Sequence, residues 1–178
     1  MRIPDEIHRT RDWRVHELAN DFALHDVWRF PVRGNAHEFD RFVTQHERGI
    51  DRALPSGAAG ALFRLRSALG VFLDADPSGV RVRDRLDPAE RAHGDNGPFQ
   101  RVYRDEHECL YELSNRTVHA LLHLGWVPIG GDHTAEMAVY VKPRGWFGRA
   151  YMALIDPFRH AIVYPALMRA AERRWVTA

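Results

Sequence analysis

Cysteine is almost missing from this chain. Cys109 stands alone, which excludes an internal disulfide and a Cys-rich zinc site. Lysine is as rare: Lys142 is the only one, and arginine supplies the other basic residues, a pattern that reads as coding bias. Net charge is only +1, so no broad attraction to nucleic acid or an anionic membrane is expected. The local run Arg81, Arg83, Arg85 is offset by Asp84 and Asp87. No apolar run is long enough to span a bilayer, and Met1 to Asp12 lacks the apolar core of a signal peptide. Dinucleotide-binding G-x-G-x-x-G, a phosphate loop, a serine elbow and paired catalytic carboxylates are also missing. The expectation is a cytoplasmic protein that needs no cofactor or metal.

What is present is an ordinary globular composition: 45% hydrophobic and 28% charged over 178 residues. That length can bury a full core and fits one domain. Residues 1–12 read as an N-terminal arm, and 13–178 as the domain. Trp13 to Leu18 reads as a first strand, with Asn20 or Asp21 capping a short helix over Leu24 to Arg29. Ala36 to Arg48 has Phe39, Phe42, Val43 and His46 at helical spacing, ended by Gly49. A second helix, capped by Ser56, carries the stripe Leu62, Leu65, Leu69, Phe72 and Leu73. Residues 74–98 read as a long loop, with a short strand at Val80 to Arg83.

The last third is the most regular. Phe99–Arg104, Glu108–Leu113 and Thr117–Val127 read as strands, followed by another beyond a turn at Pro128–Asp132. In the third, Val118, Ala120, Leu122, Leu124 and Trp126 share one face, and His119 and His123 lie on the other. Such alternation marks a half-buried antiparallel strand. A turn centred at Ser114-Asn115 sets Tyr111 opposite Val118 and Cys109 opposite Ala120. The next turn sets Leu122 opposite Val139 and Leu124 opposite Met137. One apolar face then runs across the strands. The other is expected to be solvated, with His119, His123, Glu136, Tyr140 and Lys142; Asp105, Glu106 and Glu108 are expected to face water. Trp146 to Trp175 reads as a long helix kinked at Pro157 and Pro165, or restarted at Pro157 with Asp156 as cap. Its inward stripe is Tyr151, Met152, Ile155, Phe158, Ile162, Ala166 and Met168.

The element order, with the opening His16-Glu17-Leu18-Ala19-Asn20-Asp21-Phe22 and Asp26-Val27-Trp28, resembles the helix-grip plan of the START/Bet v 1-like (SRPBCC) superfamily. That resemblance implies an α+β fold: a curved antiparallel sheet wrapped around a long C-terminal helix, with a helix pair after the first strand. Asn115-Arg116-Thr117-Val118-His119, His123-Leu124-Gly125-Trp126, and Tyr151 with Pro157-Phe158-Arg159-His160 look like the bacterial family of unknown function DUF2867. The resemblance covers nearly the whole chain and carries no assigned catalysis. In some relatives a similar domain follows an NAD(P)-binding one, so a dinucleotide-linked role here would need a partner protein.

The leading expectation is a cavity for a small hydrophobic molecule between sheet and C-terminal helix. Tyr111, Leu122, Leu124, Trp126, Met137, Val139, Tyr151, Ile155 and Phe158 would line it, with Trp146 as a further aromatic wall. Arg159 or Tyr151 would orient the ligand. A second expectation is a cofactor-independent cyclase, lyase or hydrolase on a hydrophobic metabolite, using His160, Asp156 or Tyr164. A third is an interaction module for a reductase partner or for a homodimer, which an exposed patch around Leu110 and Leu121 would mark. His119 and His123 lie about 13 Å apart if they sit on a strand, too far to share one metal. Cys109 faces inward and is expected to be inert.

Overall fold

A computed structural model describes residues 1–53, 81–91 and 99–177. Its strands are β1 (Arg2–Ile3), β2 (Ala23–Arg29), β3 (Gln100–Arg104), β4 (Glu108–Ser114), β5 (Val118–Ile129) and β6 (Asp132–Pro143). They form one antiparallel sheet in the order β1-β2-β6-β5-β4-β3. The described helices are α1 (Asp5–Arg9), α2 (Val15–Leu18), α3 (Phe39–Ala53), α4 (Gly145–Phe158) and α5 (Tyr164–Thr177), with a 3-10 turn at Val82–Arg85 and a π turn at Arg159–Val163 joining α4 to α5. The fold is thus α+β, with a helical C-terminus packed on an antiparallel sheet. The second helix expected around Leu62 to Leu73 lies outside the described residues.

The β5–β6 ladder follows from its turn. Gly130 and Gly131 both have positive φ, 58° and 92°, as a two-residue hairpin whose twist matches its strands requires. That turn sets Leu122 against Val139 and Leu124 against Met137, as the alternation predicts. The β4–β5 register differs from the expected one. Tyr111 pairs with Leu122 and Cys109 with Leu124. The Asn115 side chain moves the turn, because its Oδ1 accepts from the N–H groups of Thr117 and Val118, each at 2.9 Å. The slip is an even number of residues, so every side chain keeps its face. The expected apolar face survives a wrong register.

That face packs against α3, α4 and α5. Its core includes Trp28, Phe30, Phe39, Phe42, Val43, Tyr111, Leu124, Trp126, Met137, Val139, Met152, Tyr164 and Met168. Gly148 lets the start of α4 close on the sheet, since a methyl there would strike the Thr117 carbonyl oxygen. Helix α3 runs through Gly49 to Ala53, past the expected stop.

Three expectations are corrected near the N-terminus. Trp13 to Leu18 is no strand; it includes the short helix α2. Leu24 to Arg29 is no helix; it belongs to β2, which pairs along β6. Segments this short carry too little periodicity to separate the two states, and pairing with a twelve-residue strand decides. The segment read as an arm adds β1 to the sheet edge and buries His8. It also covers the sheet face expected to be solvated. A second core there joins Ile3, Val15, Leu18, Phe22, Val27, Val82, Leu86, Tyr103, Leu110 and Leu121. Val82 reaches it from the 3-10 turn, where a strand was expected. Gly125 makes room for Trp13, whose ring lies where a Cβ would stand.

Candidate functional site

The covered second face holds most of the acidic and histidine side chains that the sequence suggests are exposed, and it pairs each of their carboxylates, leaving Glu136 Oε2, Arg11 Nε, His123 Nδ1 and Trp13 Nε1 without hydrogen bonds. Glu108 accepts from the Tyr103 hydroxyl at 2.6 Å, the Arg14 N–H at 2.9 Å and His123 Nε2 at 2.9 Å. Burial pushes Glu108 toward its neutral form, but His123 and these donors outweigh it and hold its pKa down. Burial also lowers the pKa of His123, against the pull of Glu108. A charged Glu108 and a neutral His123 require the proton on Nε2. His119 Nε2 meets Glu112 at 2.6 Å, and Glu112 also accepts from the Val82 N–H at 2.7 Å. Glu136 accepts twice from Arg29, at 2.7 and 3.1 Å, and pairs with Arg11 at 3.4 Å. His8 Nε2 lies 2.8 Å from the Tyr140 hydroxyl, which lies 3.2 Å from His16 Nδ1. Burial pushes His8 down to about 2. His119 and His123 therefore each serve a separate glutamate. Among the described residues, no group of three or more His, Cys, Asp or Glu is placed to hold a metal. Leu110 and Leu121 are 0% and 1% exposed, so the expected docking patch around them is not a surface. Asp105 and Glu106 are exposed as expected; Glu108 is not.

The opposite face carries a different arrangement. Asp26 lies on β2, on the side that faces the C-terminal helix with Trp28 and Phe30, and is 0% exposed. Its Oδ2 accepts from Arg159 Nη2 at 3.3 Å and meets His160 Nε2 at 3.2 Å. Arg159 also donates to Asp156 at 2.9 Å and to the Tyr164 hydroxyl. Asp156 in turn accepts from His25 Nε2 at 2.8 Å. The Trp28 ring lies 6.1 Å from His160 and 5.0 Å from Tyr164, centroid to centroid. Burial opposes the Arg159 cation, yet Tyr164, Asp26 and Asp156 outweigh it and raise its pKa. Burial likewise pushes the Tyr164 phenol up.

The π turn builds this cluster. Prolines 157 and 165 bracket it, and each withholds the N–H that would continue the α-helical ladder. In a π turn, residues five apart come nearly into line, and Arg159 and Tyr164 are such a pair. The extra residue also moves the buried stripe. Val163, Tyr164, Leu167, Met168, Ala171 and Trp175 pack on the core, in place of the expected Phe158, Ile162 and Ala166. Pro157 lies inside α4, so Asp156 does not cap a new helix and is left for His25 and Arg159.

Of the residues expected to line a cavity, Tyr111, Leu124, Trp126, Met137 and Val139 are buried in the core beside this cluster, and Leu122, Tyr151 and Ile155 pack against it. Phe158 and Trp146 do not join them. They are 46% and 74% exposed on the outward side of α4, with Leu154 at 67%. His160, Asp156, Tyr164 and Arg159 come together. Sequence reading missed Asp26, His25 and Trp28, because it placed all three on a helix. A carboxylate two residues from a tryptophan on a buried strand face would have been the signal. Cys109 is buried, and burial pushes its thiol up to about 12.

Asp26 Oδ1, Trp28 Nε1 and both ring nitrogens of His46 are buried with no hydrogen-bond partner. All three side chains lie on this face: His46 stacks on Phe42 and meets Phe30 edge-on. Chemically, the cluster offers a carboxylate acceptor, an indole donor, and a histidine oriented by a carboxylate, beside an apolar wall.

No curated protein and no solved structure matches the chain. The model of a family described as "Protein of unknown function (DUF2867)" matches residues 18–166. The matched span includes every member of the Asp26 cluster and stops short of His8, Trp13 and His16, which cover the other face. By that match the chain belongs to the DUF2867 family.

Proposed function

We propose that the protein binds a small hydrophobic molecule between the sheet and the C-terminal helix, on the helix-grip plan of the START/Bet v 1-like superfamily. The observation that carries this reading is Asp26. It is fully buried beside an apolar core, and one of its oxygens has no partner. A buried acceptor left unsatisfied costs about 1–3 kcal/mol. Groups of this kind are rare and call for an explanation, and a ligand donor reaching Asp26 supplies one. The walls would be Tyr111, Leu122, Leu124, Trp126, Met137, Val139, Tyr151 and Ile155, with Arg159 and His160 at the polar end.

Native mass spectra of freshly purified protein, with identification of whatever is released on denaturation, test it. The expected result is a small-molecule adduct in the wild type that is lost or reduced in Asp26→Asn. A bare mass, together with no thermal shift from a panel of hydrophobic metabolites, would overturn the reading.

The His160–Asp26 contact favours a second reading, a cofactor-independent enzyme acting on the bound molecule. With Nε2–H donated to Asp26, His160 Nδ1 carries the lone pair of a general base. A His160→Gln variant would then bind the released molecule but leave it unchanged, while the wild type converts it. Equal recovery of intact ligand from both proteins would remove this reading.

A further inference from the structure

Two of the unpartnered atoms belong to side chains on one strand face and are of opposite character. Asp26 and Trp28 are two residues apart on β2, so they project from the same face. The Trp28 indole lies against His160 and Tyr164. His160 also meets Asp26, and Tyr164 is joined to it through Arg159. Asp26 Oδ2 is committed to Arg159 and His160, which leaves Oδ1, like the indole N–H, buried without a partner on this face.

An indole N–H can only donate, and a carboxylate can only accept. A single ligand group that serves both must accept and donate. A carboxylate headgroup has no hydrogen to offer Asp26. It would also meet a cluster in which Asp26 and Asp156 already outnumber the one guanidinium of Arg159. A protonated amine satisfies Asp26 but leaves the indole unmet. We propose that the molecule held here ends in a neutral group that both donates and accepts, of which a hydroxyl is the smallest: an apolar alcohol or phenol. Its oxygen would accept from Trp28 Nε1, and its hydrogen would go to Asp26 Oδ1. The assignment rests on the binding reading above and adds the class of ligand.

The test is a headgroup series on one tail: 1-decanol, decanoate, decylammonium and decyl methyl ether, titrated calorimetrically against the whole protein. Nile red serves as a neutral apolar probe. Wild-type protein should bind decanol at least roughly three- to tenfold more tightly than the other three, the factor expected for one net hydrogen bond. Trp28→Phe keeps the ring and removes the N–H, and should cost decanol a similar factor while leaving decylammonium unchanged. Circular dichroism and urea unfolding run alongside; if that variant does not fold, the wild-type ranking decides alone. Equal or tighter binding of decanoate, decylammonium or the ether would overturn the proposal, as would a folded Trp28→Phe that keeps full decanol affinity. Nile red binding with no headgroup preference would remove the alcohol assignment and leave hydrophobic binding standing. No binding of Nile red or of any amphiphile would remove both.

Discussion

On the face of the sheet beneath the N-terminal segment, Glu108, Glu112 and Glu136 each accept from at least two donors. On the face beneath the C-terminal helix, Asp26 is as deeply buried and, like Glu136, has one oxygen without a hydrogen bond; Glu136 Oε2 lies 3.4 Å from Arg11, whereas both ion pairs of Asp26 end on Oδ2. The first face has many more titratable groups and draws the eye in the sequence; each of its carboxylates is paired, while His123 Nδ1 and Trp13 Nε1 there are buried without a partner. The second has few, and they are incompletely matched. Burial of charge alone therefore does not mark a site; what sets Asp26 apart is that both of its ion pairs run through one oxygen and leave the other without a hydrogen bond. A satisfied network contributes rigidity and a unique packing, whereas unmet groups are left available for something else.

The largest effect should come from breaking the paired face. Glu108→Ala leaves the Tyr103 hydroxyl, the Arg14 N–H and His123 Nε2 without their acceptor. It should lower unfolding free energy by about 3–5 kcal/mol. A loss under about 1 kcal/mol in urea would mean that the network relaxes freely, and the contrast between faces would collapse.

Acid sharpens the same contrast. Burial holds His46 down to about 4, with Arg174 adding to the shift. Its folded pKa lies below the unfolded value of about 6.5. The unfolded chain therefore takes up the proton first, and the stability contributed by neutral His46 is complete above about 6.5 and drains away as pH falls toward 4. His8 acts in the same direction over a wider range. Glu108 and Glu112, whose pKa values are lowered, contribute stability above their unfolded value of about 4.3 and lose it below. His46→Phe fits the ring cluster of Phe30 and Phe42. It should gain about 3 kcal/mol on the wild type between pH 7.5 and 4. Parallel stability curves for the two proteins would refute the assignment.

Asp26→Asn should do little to stability, within about 1 kcal/mol of wild type, because Arg159 keeps Asp156 and a functional carboxylate often carries a stability cost. A loss as large as that of Glu108→Ala would make Asp26 structural. The smallest effect belongs to the rim. Lys142→Ala removes an exposed pair with Asp21 and should cost under about 0.5 kcal/mol by thermal unfolding.

How far the sequence reaches is visible in particular residues. Alternation over Val118 to Trp126 correctly sorts the two faces, and it does so even with the β4–β5 register four residues out, because period two is blind to even slips. It cannot say what covers a face. Polar residues at His119, His123 and Glu136 look the same whether water or the chain's own first twenty-two residues lie over them. Asp26 stays hidden because Leu24 to Arg29 is too short for periodicity to rule on. Arg159, His160, Tyr164 and Asp156 are legible as candidates, since polar groups on an otherwise apolar helix stand out. Asp26, the partner that Arg159 and His160 share, is 133 and 134 residues away from them, beyond any local pattern.

The π turn has a consequence at the level of the gene. A π turn holds one residue more than the α-helical turn it replaces, the increment that a single added codon supplies. In an uninterrupted α-helix one added residue rotates everything after it by about 100°; the wider π turn takes up that rotation. Met168, Ala171 and Trp175 therefore stay on the core that Met152 also faces. The face of this helix is thus tied to its length: a one-residue deletion that also straightens the turn would keep the core and shorten the step from Arg159 to Tyr164 from five residues to four.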